Sequence, residues 1–116
     1  MKRSHTGSAE KLVDAAPVFA ALGDPTRLRI VVRLCAAGPQ SIVKLTDGAD
    51  VTRQAVTKHL HALARAGLVR SSRGGRERIW EIQPRRLADA SHYLEQISAQ
   101  WDAALDRLRA FVEHDR

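Results

Sequence analysis

Between Val51 and Val69 the chain reads VTRQAVTKHLHALARAGLV, and its polar side chains recur at helical spacing. At 100° per residue, Gln54, Thr57, Lys58, His61 and Arg65 share one arc. Their chemistry suits recognition. A glutamine carboxamide pairs with adenine, a threonine methyl packs on the thymine methyl, and a lysine ammonium reaches guanine or a phosphate. Arg53 and Arg65, at the flanks of the helix, suit phosphates. Downstream, RSSRGGRERI places Arg73, Arg76 and Arg78 around a glycine pair, positioned for a nucleic-acid backbone or the adjacent minor groove. Each phosphate so neutralised steepens the salt dependence of binding. Plainer alternatives stand beside both readings: a solvated helix face, and a solvated turn whose arginines serve solubility.

The elements that hold these residues follow from capping and periodicity. Thr52 is an N-cap for the helix that carries the arc, and the recognition element spans 52–66. Val56, Leu60 and Leu63 form its buried stripe, and Gly67 ends it in a left-handed conformation. His59 lies at the edge of that stripe and reads as a packing residue. Before it, Ser41 caps a short third helix with Ile42 and Leu45 apolar, and Asp47-Gly48-Ala49-Asp50 is the turn. Helix, glycine-containing turn and helix make a helix-turn-helix.

Further upstream, helix one begins near Asp14, turns Ala16, Phe19 and Leu22 inward and stops at Gly23. Asp24-Pro25 starts helix two, which runs to Ala37 with Leu28, Val31, Val32 and Cys35 on or near its dry face. Residues 1–9 read as a flexible arm, and 10–116 as a single domain. After the recognition element, Leu68–Ser72 and Arg78–Ile82 read as strands of a wing (68–83). Gly74 and Gly75 supply positive φ at its tip, Trp80 and Ile82 point inward, and Arg70 can pair with Glu77 or Glu81.

Beyond Pro84, a helix over 85–114 carries Leu87, Ala90, Leu94, Ile97, Trp101, Leu105, Leu108 and Val112 at steps of three or four. Such a helix, ~40 Å long, outreaches its own small domain, so its stripe needs a partner surface. A coiled-coil-like homodimer, with Phe19 joining the stripe, is the economical answer. Trp101 and Phe111 fit interface core, with a small-molecule pocket as the alternative. The helix is net acidic, which argues against its lying on DNA. The expected fold is therefore mainly α with a β-hairpin wing: a winged helix-turn-helix of four helices, two strands and a last, dimer-forming helix.

Charge distribution agrees. The 116 residues carry a formal net charge of +6. Nine basic residues against two acidic ones fall between Val51 and Arg86, so the positive field sits on one third of the chain. The single cysteine rules out an internal disulfide framework and suits a reducing compartment. No run approaches the ~20 apolar residues of a membrane span, and the N-terminus lacks the apolar core of a secretory signal. A cytoplasmic, nucleoid-associated protein is expected, with no membrane partner. Enzyme motifs find no match: Gly74-Gly75 lies between strands rather than before a helix, and there is no Gly-x-Ser-x-Gly elbow.

Four stretches together resemble the ArsR-type winged-helix bacterial repressors: FAALGDPTRLRIVVRL, VTRQAVTKHLHALARAGLV, GGRERIWEI and the amphipathic last helix. The resemblance covers roughly residues 15–114. It implies a homodimer that binds an imperfect palindromic operator in double-stranded DNA and is released by an effector. The ending YLEQISAQWDAALDRLRAFVE looks most like a non-metal branch often encoded beside a START-like (SRPBCC-type) lipid-pocket protein. Metal sensors of the family carry cysteines near the third helix, where this chain reads SIVKLTD; the second family metal site is matched only by Asp89-Ala-Ser-His92, one residue out of register. No metal or cofactor is expected, and Cys35 reads as core packing. The expectation is a homodimeric, sequence-specific transcriptional regulator that represses its own operon, with an unidentified small-molecule effector left open. The alternative is a winged-helix module that binds protein or RNA.

Overall fold

Pro17, Pro25 and Pro84 fall in the opening turns of three helices, where a missing N–H costs nothing, and they set the punctuation of the fold. In the computed structural model, which describes residues 15–48 and 50–114, the elements are α1 (Ala16–Leu22), α2 (Pro25–Ala37), β1 (Gln40–Ser41), α3 (Ile42–Thr46), α4 (Arg53–Arg65), β2 (Val69–Gly74), β3 (Glu77–Ile82) and α5 (Pro84–His114). The arm at 1–9, the expected start of helix one at Asp14, and Ala49 of the turn lie outside the described residues. The result is a mainly helical winged helix-turn-helix with a small antiparallel sheet.

Caps form where the side chains allow. Asp24 accepts from the Arg27 backbone N–H at 3.0 Å, Ser41 from Lys44 at 3.3 Å and Thr52 from Ala55 at 3.0 Å. Gly67, at φ +80°, closes α4: its N–H reaches the Ala64 carbonyl while that of Leu68 reaches Leu63, the paired bonds of a Schellman stop. A Cβ on Gly67 would lie 3.0 Å from Arg86 Cγ. Two arginines add side-chain bonds to carbonyls at the C-terminal ends of α1 and α3. Arg27 Nε donates to the Ala21 carbonyl at 2.7 Å, and Arg33 Nη1 donates to the carbonyls of Leu45 and Asp47, each at 3.3 Å.

The core gathers on Val56, Leu60 and Leu63 of α4, joined by Val18, Ile30, Val31, Leu34, Leu45, Leu68, Val69, Trp80 and Ala90. Four expectations need correction. Ala16 is exposed, and Val18 and Ala21 hold the buried positions of α1, because APVFAAL is apolar all round and its periodicity selects no face. On α2 the buried residues are Ile30, Val31 and Leu34, whereas Leu28, Val32 and Cys35 are exposed; its apolar residues span more arc than one neighbouring core can cover. The sheet has three strands, ordered β1-β3-β2, since Gln40 and Ser41 pair with Trp80 and Ile79. Only Gly75 of the glycine pair has positive φ (+68°). Gly74 pairs with Glu77 at the end of β2, and a Cβ there would lie 2.8 Å from Ile79 Cγ1, so its role is steric. Gln40 Oε1 and Trp80 Nε1, at paired register positions, are buried without hydrogen-bond partners among the described residues. Each such orphan costs about 1–3 kcal/mol.

The proximal part of α5 is fixed by Ala90 and Tyr93, both buried, and by Leu87 against the core. The rest of the helix is exposed from Ile97 to His114. The radius of gyration of 19.2 Å exceeds the ~13 Å of a compact chain this long, as a projecting helix requires.

Two outcomes follow. Leu60→Ala, at a side chain with no exposure, should lower unfolding stability by about 2–5 kcal/mol in urea; a loss under 1 kcal/mol would mean that α4 is not the centre of the core. The Arg27 N–H bond, followed by the charges of Arg27 and His59, holds the Asp24 carboxyl below the usual carboxylate range. Its ionised form therefore contributes stability above the unfolded pKa and loses it as pH falls through the folded value. Asp24→Asn keeps a cap without the charge. The stability advantage of the wild type over this variant should shrink between about pH 6 and pH 2.5, and an advantage independent of pH would contradict the assignment.

Candidate nucleic-acid interface

Burial of the Val56–Leu60–Leu63 stripe fixes what α4 shows to solvent. Arg53, Gln54, Lys58, His61 and Arg65 are exposed, and Thr57 is half-buried. The two threonines have local tasks. Thr52 caps the helix, and Thr57 Oγ1 donates to the Arg53 carbonyl at 2.7 Å, which leaves its methyl for an apolar contact. The other five make no hydrogen bond or ion pair through their side chains among the described residues. The arc combines two donor–acceptor groups with three cationic ones and no acid.

The wing adds the rest. Arg73 and Arg78 occupy facing register positions on β2 and β3, and Arg76 sits in the two-residue turn after Gly75. Positive φ at the first turn position alone is the II′ pattern, which matches the twist of the strands. Like charges directly opposite one another destabilise a hairpin. Here they are exposed, and Arg78 Nη1 donates to Ser71 Oγ at 2.9 Å. Arg70 pairs with Glu81, Nε to Oε2 at 2.7 Å, which settles the choice between Glu77 and Glu81. This removes Arg70 from the cations available to a ligand.

Helix and wing meet in a shallow recess of about 510 Å³ lined by His61, Ala64, Arg65, Ser71, Arg78 and Trp80. Three of the expected contact residues, His61, Arg65 and Arg78, come together there. The His61 ring lies 5.8 Å from that of Trp80, tilted by 44°, so the buried indole ties the outer helix face to the wing. Gln54 and Lys58 lie on α4 N-terminal to the recess, and Arg73 and Arg76 lie toward the hairpin tip. Sequence reasoning did not foresee Ser71 as the partner of Arg78, nor the seat of His61 on Trp80. The alternation that put Trp80 inward was the available signal. His59 stands apart from the arc, with Nδ1 3.9 Å from the Asp24 carboxylate, beside the α1–α2 turn.

The expected dimer residues divide into two groups. Phe19 and Leu87 already pack, half-buried, on the core. Leu94, Ile97, Trp101, Leu105, Leu108 and Val112 are exposed on α5. Among the described residues no group of three or more His, Cys, Asp or Glu side chains gathers as metal ligands, and no helix is long and apolar enough to cross a membrane.

Residues 22–72 match a family described as a helix-turn-helix domain. The chain is similar to an HTH-type transcriptional regulator of Mycobacterium tuberculosis, with 38% identity over 95 residues, 82% of this chain and 85% of that protein. It is also 30% identical over 91 residues to a probable mercury resistance operon repressor of Streptomyces lividans, covering 78% of this chain and 72% of that one. Among solved structures, an ArsR-like transcriptional regulator from Rhodococcus sp. RHA1 superimposes with a TM-score of 0.73 at 39% identity, covering 86% of this chain and 93% of that one. With a winged helix-turn-helix, an acid-free polar arc on α4 and these relatives, the chain belongs to the ArsR-type family of DNA-binding transcriptional regulators.

Proposed function

We propose that the protein is a homodimeric repressor of its own operon that binds an imperfect palindrome in double-stranded DNA. The observation that carries this reading is the shared recess, where His61 and Arg65 of α4 meet Arg78 of the wing. In this reading the chain is one domain over 10–116, with α4 as the recognition element in the major groove. Gln54, Thr57, Lys58 and His61 meet base edges and phosphates; Thr52, Arg53 and Arg65 meet the flanking phosphates. Arg73, Arg76 and Arg78 follow the backbone into the next minor groove. Leu94 to Val112, with Phe19 and Leu87 at the base, form the contact between copies. The Cys-free stretch SIVKLTD at the third helix and the out-of-register Asp89-Ala-Ser-His92 favour grouping the protein with relatives that sense no metal, of the kind encoded beside START-like proteins, with a small-molecule effector left open. A cytoplasmic, nucleoid-associated location fits this work.

Purified protein should retard its own promoter DNA at low salt in preference to unrelated DNA of equal length. Equal affinity for both would contradict sequence-specific regulation. Thr57→Ala with Lys58→Ala should weaken specific binding by about 1–3 kcal/mol per lost base contact without changing the unfolding midpoint. Arg73→Ala or Arg76→Ala should weaken binding to all sequences alike and reduce the salt slope by about 1. Sedimentation at micromolar concentration should give a dimer that Leu94→Asp plus Leu105→Asp converts to monomer; a wild-type monomer would exclude the two-fold arrangement.

A further inference from the structure

Paired α5 helices do not account for all the apolar surface left exposed. Leu94, Trp101, Leu105, Leu108 and Val112 lie along one stripe, while Ile97, Ala104 and Phe111 recur every seven residues to one side of it. Trp101 and Phe111 are 66% and 68% exposed. A two-stranded coiled contact covers a narrow seam, and a face this wide needs a second surface. Outside α5, the exposed large apolar side chains among the described residues are Leu28 (45%), Val32 (59%) and Val43. Val43 stands alone on α3. Leu28 and Val32 lie one turn apart on α2, and exposed Cys35 continues the same face.

We propose that this outer face of α2 is a second seat, occupied by the distal half of α5 from the other copy. The proposal rests on the homodimer reading above and adds where the projecting helix ends. Charge favours that occupant. From Glu95 onward α5 carries Glu95, Asp102, Asp106 and Glu113 against Arg107 and Arg109, and Arg109 is already engaged by Asp106 at 3.4 Å. α2 carries Arg27, Arg29 and Arg33 with no acid. Arg27 and Arg33 are spent on backbone carbonyls, whereas Arg29 is exposed and makes no ion pair among the described residues. An acidic helix with a broad apolar face thus meets a basic helix with a narrow one. Reach agrees: the 21 residues from Leu94 to His114 extend about 30 Å, beyond the edge of their own domain. Because Asp24, the N-cap of α2, lies beside His59 of α4 and Ile30 of α2 packs in the shared core, anything that displaces the partner's α5 from this seat acts directly on the frame that holds α4.

The chain has one cysteine, and it lies at the end of the proposed seat. In the full chain, Ile97→Cys, Ala104→Cys and Phe111→Cys, on the face to one side of the paired stripe, are made one at a time and oxidised with a mild disulfide catalyst. Products are separated on non-reducing gels, and unoxidised samples are sedimented in parallel. The expected result is a sedimenting dimer in which at least one variant gives a covalent dimer that disappears when Cys35→Ser is added. A dimer whose cross-link survives Cys35→Ser comes from α5 meeting α5, and overturns the second seat while leaving the homodimer intact. A dimer with no cross-link in any variant does the same, as does a disulfide closed within one chain. A monomer in sedimentation overturns both readings. Val32→Glu, at a side chain exposed in a single copy, provides an independent check: it should weaken dimerisation at least tenfold with an unchanged far-UV spectrum, and unaltered dimerisation contradicts the seat.

Discussion

A thirteen-residue helix set into a small protein can bury one side only, and α4 buries Val56, Leu60 and Leu63 to 1% exposure or less. Each such side chain contributes roughly 1.5–3 kcal/mol when removed from water. Turning α4 by a single residue would exchange these groups for His61 or Thr57 and forfeit most of that gain. The core therefore fixes the rotation of the helix, and with it the outward arc of Gln54, Lys58, His61 and Arg65. None of these four is buried. Caps and stops come from other residues, Thr52 at one end and Gly67 at the other.

The wing depends on the same core through one residue. Trp80, 3% exposed, anchors β3 beneath α4 and touches His61 at the surface. With β3 pinned, the register of the hairpin sets Arg73 opposite Arg78 and leaves Gly75-Arg76 at the tip. That concentration of like charge is unfavourable in the free protein and relieved by a polyanion. A stability-driven hairpin would place an acid opposite one of these arginines, as Glu81 stands opposite Arg70 three pairs nearer the core.

Where a feature depends on one element, the residues declared it. The cap at Thr52, the stripe of α4, the stop at Gly67 and the inward Trp80 were all legible from periodicity and residue type, as were the last helix and its exposed stripe. Features that depend on which of several surfaces an element meets were not. APVFAAL is apolar all round, so its buried face emerges only against α4. In α2 the apolar arc serves Ile30, Val31 and Leu34 inward and leaves Leu28 and Val32 outside, a division set by the size of the neighbouring core. The strand at Gln40–Ser41 is too short for any alternation to register, and it exists because β3 offers an open edge. At the site, the arc and the wing arginines were read separately from sequence; their meeting at His61, Arg65 and Arg78 needed the packing of Trp80.

The central claim is that α4 enters the major groove with the wing beside it, twice, on a two-fold axis. A nucleotide-resolution hydroxyl-radical and major-groove methylation footprint on the promoter tests it most directly. The account predicts two protected major-groove segments centred about 34 Å apart, each flanked by backbone protection on the side of the wing that is lost in Arg73→Ala plus Arg76→Ala. A single protected segment, or groove protection that survives Gln54→Ala plus Lys58→Ala unchanged, would contradict it.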